Sequence, residues 1–223
     1  MIRSERSGLV NQKIRPVARE GYPFILGAAF ATAVVAILGL YVLALFFLAV
    51  TFFVCFFFRD PERVIPEEEK AVVSPADGKV VEVSTVQESD FAAEKMLKIS
   101  VFMSIFNVHV NRIPDGGRVA DVIYYPGKFF SANLDKASRD NERNAVGLEI
   151  NRGRKLIVVQ VAGLIARRII CKIRKGDRLS RGERFGMICF GSRLDVYLPP
   201  DTVPAVSVGD KVLAGTSILG YLS

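Results

Sequence analysis

The sequence has no tryptophan, a single histidine and only three cysteines. One histidine is too few for a zinc site built on several imidazoles, so we expect no metal. Cys55, Cys171 and Cys189 are scattered and form no Cys-x-x-Cys pair, which argues against a zinc ribbon and against a disulfide framework. An odd number of unpaired cysteines is typical of a reducing compartment.

Charge and apolar content are both moderate. Lys and Arg number 30 against 23 Asp and Glu, a net charge of +7, and half of the residues are apolar. This composition excludes a disordered tail and a collagen-like fibre, and 223 residues allow one domain of ordinary size with an appendage. The positive balance suits an anionic lipid surface, and we expect no nucleic-acid partner.

Charge is missing altogether from residues 22–58, a run of 37 residues. An apolar run beyond about 18 residues predicts a membrane span, and the core of a signal peptide reaches only about 15. As one helix the run would measure roughly 55 Å, against a hydrocarbon core of roughly 30 Å. It therefore forms either one span with long overhangs or two short spans with a turn near Gly39.

Basic residues flank this run on both sides. They are Arg3, Arg6, Lys13, Arg15 and Arg19 before it, and Arg59, Arg63 and Lys70 after it. Because positive residues favour the cytoplasmic side, a hairpin keeps both flanks inside, whereas a single span exports one of them. We therefore favour a transmembrane helical hairpin in the cell membrane, with the rest of the chain on the cytoplasmic side.

The sequence divides into a basic N-terminal segment (1–21), a membrane anchor (22–58), a linker with two prolines (59–70) and a soluble domain (71–223). In the domain, short β-rich runs alternate with Asp-Gly, Pro-Gly and Arg-Gly turn signals, and helical periodicity is rare. The predicted strands are 79–84, 97–102, 119–125, 146–151, 155–162, 169–173 and 185–190, with short helices at 88–95 and 103–107. The fold class is mostly β with short helical insertions.

One sequence pattern occurs twice in the domain. GDRLSRG at 176–182 matches GDKVLAG at 209–215, and an apolar strand follows each copy. The glycines permit positive φ in tight turns, where the aspartate can bond nearby backbone. Such units occur in the small β-sandwiches of lipoyl and biotinyl carriers, so we expect two similar hairpin units in a domain built like a sandwich or barrel.

Three polar positions fall at turns or strand ends. Asp77 is at the tip of the turn SPADG, His109 lies in an alternating run opposite its valines, and Gly191-Ser192 follows a predicted strand. Each feature alone is ordinary. Together a serine, the sole histidine and an aspartate form a nucleophile, base and orienter set. Beside a membrane anchor, this set indicates chemistry on a lipid.

The chain resembles the short, membrane-anchored phosphatidylserine decarboxylases over nearly its whole length, from about 20 to 220. Seven ordered blocks carry the resemblance: FFFRDPERVIP at 56–66, SPADGKV at 74–80, FMSIFNVHVNRIP at 102–114, YYPGKFFSANLDKAS at 124–138, NER at 141–143, QVAGLIARRI at 160–169 and GERFGMICFGSRLDVYLP at 182–199. The family's Gly-Ser cleavage motif corresponds to Gly191-Ser192, and its self-processing triad to Asp77, His109 and Ser192. Family members with longer chains carry a second histidine where this chain has Phe106-Asn107.

The resemblance implies that the protein makes its own cofactor. Cleavage between 191 and 192 would give a β chain of 191 residues and an α chain of 32 residues that begins with a pyruvoyl group derived from Ser192. Such a group serves as an electron sink comparable to pyridoxal phosphate, which is then not needed. The implied reaction is decarboxylation of phosphatidylserine to phosphatidylethanolamine, with His109 as the candidate proton donor to the substrate carbon.

The implied substrate carries a phosphodiester and a carboxylate, so a basic pocket is expected. Arg112, Lys128, Arg143 and Arg193 lie in the matched blocks and are the candidates to bind it. The resemblance also implies that β and α chains stay associated and that the processed units form a dimer.

Two other functions remain open from the residues. A related serine phospholipid, such as an ether-linked archaeal one, carries the same headgroup and is an alternative substrate. A membrane-anchored lipoyl-like carrier or adaptor is an alternative of another class, because the Asp-Lys-Ala run around Lys136 resembles a lipoylated hairpin. A hydrolase acting on an external ester would lack its usual G-x-S-x-G turn.

Overall fold

The computed structural model describes residues 16–87, 95–130, 140–164, 168–189 and 191–223. Two helices, α1 (Tyr22–Ile37) and α2 (Tyr41–Phe57), precede a domain of strands. The strands are β1 (Ala71–Val73), β2 (Gly78–Val86), β3 (Met96–Met103), β4 (Val110–Arg112), β5 (Gly117–Tyr125), β6 (Arg143–Ile150), β7 (Lys155–Ala162), β8 (Arg168–Cys171), β9 (Arg178–Leu179), β10 (Arg184–Cys189), β11 (Ser192–Leu198), β12 (Val203–Pro204), β13 (Lys211–Val212) and β14 (Ile218–Tyr221). Short 3-10 helices span Arg19–Gly21 and Asn151–Gly153. The prediction of a mostly β fold is confirmed.

The uncharged run folds as a helical hairpin. Gly39, with φ +74°, lies in the turn between α1 and α2, and the hydroxyls of Thr32 and Thr51 hydrogen-bond across the helices at 3.1 Å. Most of the apolar side chains of both helices are exposed, as expected of surfaces made for lipid rather than water. The helical segment Arg19–Ile37 is long and apolar enough to cross a membrane, while α2 is shorter.

Within the described residues, the strands of the domain form three antiparallel sheets. The largest has the order β13-β2-β3-β11-β7-β6-β5-β9, and two three-stranded sheets have the orders β1-β14-β12 and β4-β10-β8. Along β11, Leu194, Val196 and Leu198 face the main core, which includes residues from all three sheets. Arg193 and Asp195 alternate with these residues in sequence and face the other side of the large sheet.

Strand β11 lies inside the large sheet rather than at its edge. It pairs with β3 from Ser192 opposite Met103 to Leu198 opposite Leu97, and with β7 on its other side. Every residue of β11 is buried. The strand is therefore held by backbone hydrogen bonds along both of its edges.

The two copies of the repeated pattern form similar turns. Gly176 and Gly209 both have positive φ, at +95° and +106°. Asp177 and Asp210 each accept a hydrogen bond at 2.8 Å from the backbone N–H three residues earlier. The expectation of two similar units is confirmed. In both copies the aspartate side chain stabilises the turn.

Most of the predicted strands coincide with observed ones, and the differences are local. The helix predicted at 103–107 is wrong: Met103 ends β3, and Ser104–Asn107 is a turn in which Asn107 Oδ1 accepts from the backbone N–H and the hydroxyl of Ser104. These side-chain bonds compete with a helix. Residues 88–94, which hold nearly all of the other predicted helix, lie outside the described residues, as does 190 at the end of a predicted strand.

The segment predicted as a linker, 59–70, has no helix or strand but is fastened to the domain. Arg181 donates hydrogen bonds to the carbonyls of Pro66, Glu68 and Glu69, and Arg184 pairs with Asp60 at 2.8 Å. These contacts fix the end of α2 relative to the sheets.

Candidate active site

Gly191 and Ser192 lie where the chain enters β11. Gly191 has φ +65°, a conformation that costs other residues about 1–2 kcal/mol, and a Cβ placed there would meet no atom within 4 Å. Ser192 is fully buried, and its Oγ has no hydrogen-bond partner in the described part of the chain. A buried hydroxyl without a partner is costly, and such groups concentrate at functional sites.

His109 lies directly before β4 and is also fully buried. Its ring packs against the ring of Phe57 with the centroids 4.2 Å apart. Nδ1 lies 2.9 Å from the carbonyl oxygen of Asn107, which can only accept, so Nδ1 carries the proton. Nε2 therefore presents its lone pair, and it has no hydrogen-bond partner among the described residues.

Burial keeps this imidazole neutral. Desolvation lowers the pKa of His109 from 6.5 to about 4, the bond to the Asn107 carbonyl opposes that shift, and the charge of Arg59 adds to it. At neutral pH the imidazole is thus an unprotonated base.

The sheet register explains why His109 comes near the cleavage motif. Strand β4 pairs with β10, with Val110 opposite Met187, and β10 ends at Cys189, two residues before Gly191. His109, the residue before Val110, therefore lies beside the end of the strand that leads into the motif.

Asp77 reaches the same end of the large sheet. It directly precedes β2, whose Lys79 is opposite Phe102 of β3, while the next residue of β3, Met103, is opposite Ser192. The structure thus brings Asp77, His109 and Ser192 to neighbouring strand ends.

The contacts of Asp77 differ from those expected of an orienting residue. Its Oδ2 pairs with Nη2 of Arg63 at 2.8 Å, and its Oδ1 accepts from the backbone N–H of Ala214 at 2.7 Å. The carboxylate makes no hydrogen bond to His109, whose Nδ1 is oriented by the Asn107 carbonyl instead. A role for Asp77 in processing stays a prediction.

Two of the predicted substrate-binding residues are occupied by protein groups. Arg112 is buried, donates to the carbonyls of Gly182 and Pro61, and lies 3.5 Å from Asp60. Arg193 is 2% exposed and forms a two-point ion pair with Asp195, at 2.8 and 3.1 Å. Both guanidinium groups are held by protein acceptors, and a role for either in binding the substrate stays a prediction.

The other two predicted residues differ in exposure. Arg143 is buried and lies 5.0 Å from the centroid of the Tyr125 ring. Lys128 is exposed, with its Nζ 5.9 Å from the ring of Phe130. Lys136, considered above as a lipoylation site, lies outside the described residues.

Sequence reasoning missed two residues at this site. Phe57 packs on the imidazole of His109. The charge of Arg59, the first charged residue after the apolar run, adds to the desolvation that lowers the pKa of His109. The position of Arg59 at the end of that run was the available signal. Of the pair Phe106-Asn107 noted above, Phe106 has an exposed side chain.

Comparison with known proteins identifies the family of the chain. The profile of the phosphatidylserine decarboxylase family matches residues 50–220. The chain belongs to that family. Proteins named phosphatidylserine decarboxylase proenzyme are similar to it: one from Geotalea uraniireducens is 55% identical over 96% of this chain and 100% of the relative, and one from Geobacter metallireducens is 53% identical over 93% and 97%. A third, from Desulfotalea psychrophila, is 51% identical over 93% and 97%.

The phosphatidylserine decarboxylase family converts phosphatidylserine to phosphatidylethanolamine, and the chain is a carboxy-lyase of this family. The resemblance drawn from the seven sequence blocks is confirmed. The described residues include no group of three or more His, Cys, Asp or Glu side chains placed to hold a metal ion.

Proposed function

We propose that the protein cleaves itself between Gly191 and Ser192, that Ser192 becomes a pyruvoyl group, and that this group serves the decarboxylation of phosphatidylserine. The observation that carries the proposal is the buried Ser192 Oγ without a partner, directly after a glycine with positive φ. The name proenzyme, given to the similar proteins, supports a precursor that is processed.

The first step needs a base and an open carbonyl. The neutral Nε2 of His109 accepts the proton of Ser192 Oγ, and the oxygen attacks the carbonyl carbon of Gly191. The peptide C–N bond breaks as the proton passes to the Ser192 nitrogen, which leaves an ester and a free amine. The absence of a side chain at Gly191 keeps that carbonyl accessible.

Elimination then separates the two chains. Ser192 loses its Cα proton and the Cβ–O bond breaks, so that Gly191 becomes a carboxylate and Ser192 a dehydroalanine. Water converts the dehydroalanine to a keto group with release of ammonia. The residues fit the resulting group, because the Ser192 side chain already occupies a dry interior position that accepts a group with few hydrogen bonds.

During decarboxylation the pyruvoyl group supplies an electron sink for the carbon that loses CO₂. The part of the protein is to keep the site dry and to return a proton. His109 is the sole imidazole of the sequence. We assign its Nε2 to accepting a proton from the substrate ammonium group and to returning that proton to the substrate carbon.

The helical hairpin would anchor the protein in the cell membrane, with the domain on the cytoplasmic side. Its exposed apolar surface and the basic flank that follows it support this placement. We further propose that the β and α chains stay associated and that processed units form a dimer.

Intact mass spectrometry tests the processing. The wild-type chain should appear as fragments of 191 and 32 residues, the smaller with a pyruvoyl terminus and no free amine. Ser192→Ala removes the attacking oxygen and the source of the cofactor, so the chain should stay whole, fold and show no decarboxylase activity. Ser192→Cys retains a nucleophile and should cleave slowly.

A second variant tests the role of the base separately from that of the nucleophile. His109→Ala should also leave the chain whole, since no other imidazole exists. A wild-type protein that is active with a free amino terminus on its small fragment, or an active Ser192→Ala protein, would exclude the pyruvoyl proposal. Normal cleavage of His109→Ala would exclude His109 as the base.

A further inference from the structure

Arg59 carries a charge that no carboxylate within 4 Å neutralises among the described residues. Its Nη1 donates to the carbonyl of Phe56 and its Nη2 to the carbonyl of Phe106, both at 2.7 Å. Its guanidinium lies 3.8 Å from the centroid of the Phe56 ring. By contrast, Arg63 and Arg184 of the neighbouring surface each pair with an aspartate at 2.8 Å.

The turn Ser104–Asn107 fixes Arg59 beside the catalytic histidine. Arg59 bonds the carbonyl of Phe106, and His109 bonds the next carbonyl, that of Asn107. Burial lowers the pKa of His109, and the positive charge of Arg59 adds to that shift. Burial also lowers the pKa of Arg59, and the nearby charge of Asp77 opposes that shift. Arg59 therefore belongs to the same site as the proposed base.

The place of Arg59 in the chain also sets its depth. It is the first charged residue after the uncharged run and follows the end of α2 by two residues. If the hairpin spans the bilayer, a cation there lies at the level of the lipid headgroups. The side chain is half-buried, so it is open on one side while partly shielded from water.

The guanidinium has donors left over. An arginine carries five N–H groups, and the two hydrogen bonds above use two of them. The remaining groups have no acceptor among the described residues. The planar guanidinium group of arginine matches the geometry of carboxylate and phosphate groups. It can donate two parallel N–H bonds to the oxygens of one phosphate.

We propose that Arg59 binds the phosphodiester of the lipid substrate and thereby positions the serine headgroup at Ser192 and His109. The alternative anion, the serine carboxylate, fits less well: a cation beside it stabilises the ground state and holds back the loss of CO₂. Only the serine Cβ and Cα separate the phosphodiester oxygen from the reacting amine, so a phosphate held at Arg59 leaves the amine within the site. This inference rests on the proposed function.

The test compares Arg59→Gln, Arg59→Lys and Arg19→Gln in the full chain, reconstituted in vesicles that contain phosphatidylserine. Arg19 is exposed just before α1, at the opposite end of the hairpin from Arg59. Its variant therefore removes the same charge near the membrane without changing the site. Intact mass first establishes that each variant has cleaved. Inhibition of the reaction by glycerophosphoethanolamine and by ethanolamine, which lacks the phosphate, then isolates the phosphate contact.

In wild type, glycerophosphoethanolamine should inhibit more strongly than ethanolamine. Arg59→Gln should weaken inhibition by the phosphate compound, and raise KM, by roughly 10- to 100-fold, the usual worth of a charged hydrogen bond, with ethanolamine unaffected. Arg59→Lys should recover part of this, and Arg19→Gln should behave as wild type.

Other outcomes separate this inference from the proposed function. Equal inhibition by the two compounds in wild type would overturn the phosphate assignment even if Arg59→Gln did not fold. An Arg59→Gln protein that cleaves and has the same KM as the Arg19→Gln control would also overturn the phosphate assignment. A loss in kcat with unchanged KM would place Arg59 in the chemical step instead and would also overturn it. A wild-type chain that never cleaves contradicts the proposed function, not the role of Arg59 alone.

Discussion

The ring of Phe57, the last residue of helix α2, lies against the imidazole of His109 with the two centroids 4.2 Å apart. Phe57 belongs to a small apolar cluster with Val108, Met187 and Cys189 that joins the end of the helical hairpin to the sheet β4-β10-β8. The end of the helical hairpin therefore forms one wall of the candidate active site. The position of this wall determines how far water is excluded from His109, and therefore how basic the imidazole is.

The pH dependence of stability should report this burial. The unfolded chain takes up a proton on His109 below its ordinary pKa of 6.5, and the folded chain only below about 4. Stability is therefore greatest above pH 6.5 and falls as the pH drops to 4, by about 3 kcal/mol from this group. Because the sequence has one histidine, a single imidazole resonance followed by NMR measures its pKa directly.

Phe57→Ala should raise the pKa of His109 toward its ordinary value, because it opens the imidazole to water. Phe58→Ala is the matched control: Phe58 is equally buried and packs on Phe57, so it should cost a similar 3–5 kcal/mol of stability without that shift. An equal pKa in both variants would mean that Phe57 does not set the dryness of the site.

The backbone at Gly191 predicts a separable effect on cleavage. Gly191→Ala should cost about 1–2 kcal/mol of stability, since φ is +65°, and should slow the appearance of the small fragment because its methyl group stands beside the attacked carbonyl. Gly153→Ala has nearly the same backbone, φ +68°, and equally open surroundings in an exposed turn. It should lose similar stability and cleave at the wild-type rate. Equal cleavage rates in the two variants would refute the steric argument.

The ion pair between Arg63 and Asp77 offers a test of the carboxylate. Arg63→Gln and Asp77→Asn both break the 2.8 Å pair, and each should destabilise the fold. Because Arg63 is only half-buried, the loss should be smaller than the about 3–5 kcal/mol of a fully buried pair. Only Asp77→Asn removes the carboxylate itself. Time courses of cleavage should show slow or absent processing in Asp77→Asn and near-normal processing in Arg63→Gln. Matching time courses would assign Asp77 a structural part alone.

Cysteine labelling tests the topology of the anchor. In a chain whose three native cysteines are replaced by serine, Leu40→Cys at the hairpin turn and Glu67→Cys after the anchor should react from opposite sides of sealed vesicles. A cysteine at Arg19 should react from the same side as Glu67→Cys, because a hairpin returns to its starting side. Labelling of positions 19 and 67 from opposite sides would exclude the hairpin.

The strands and turns could be predicted because their signals are local. Alternating β-rich runs and glycine turns located β2, β3, β5, β6 and β7 to within a few residues. The helix predicted at 103–107 failed because the side chain of Asn107 closes a turn there, an effect that periodicity does not register.

The candidate site was only partly accessible from sequence. Ser192, His109 and Asp77 were predicted from the chemistry of their side chains together with the family resemblance, and the structure places them at neighbouring strand ends. The contact between Phe57 and His109 was not predicted, because it joins residues far apart in sequence and a phenylalanine has no reactive group that would indicate a site. The arginines show the same limit: charge alone does not distinguish Arg193, bound to its own aspartate, from Arg59, which has no such partner.

The central position of β11 has a consequence for how long a molecule can work. If the proposed cleavage makes Ser192 the first residue of a separate chain, β11 of that chain stays paired with β3 and β7, and the chain cannot leave unless the large sheet comes apart. A damaged cofactor could then be neither exchanged with the surroundings nor made again, since the peptide bond that yields it has been spent. Each molecule would form its cofactor only once, and renewal of the activity would require synthesis of new protein.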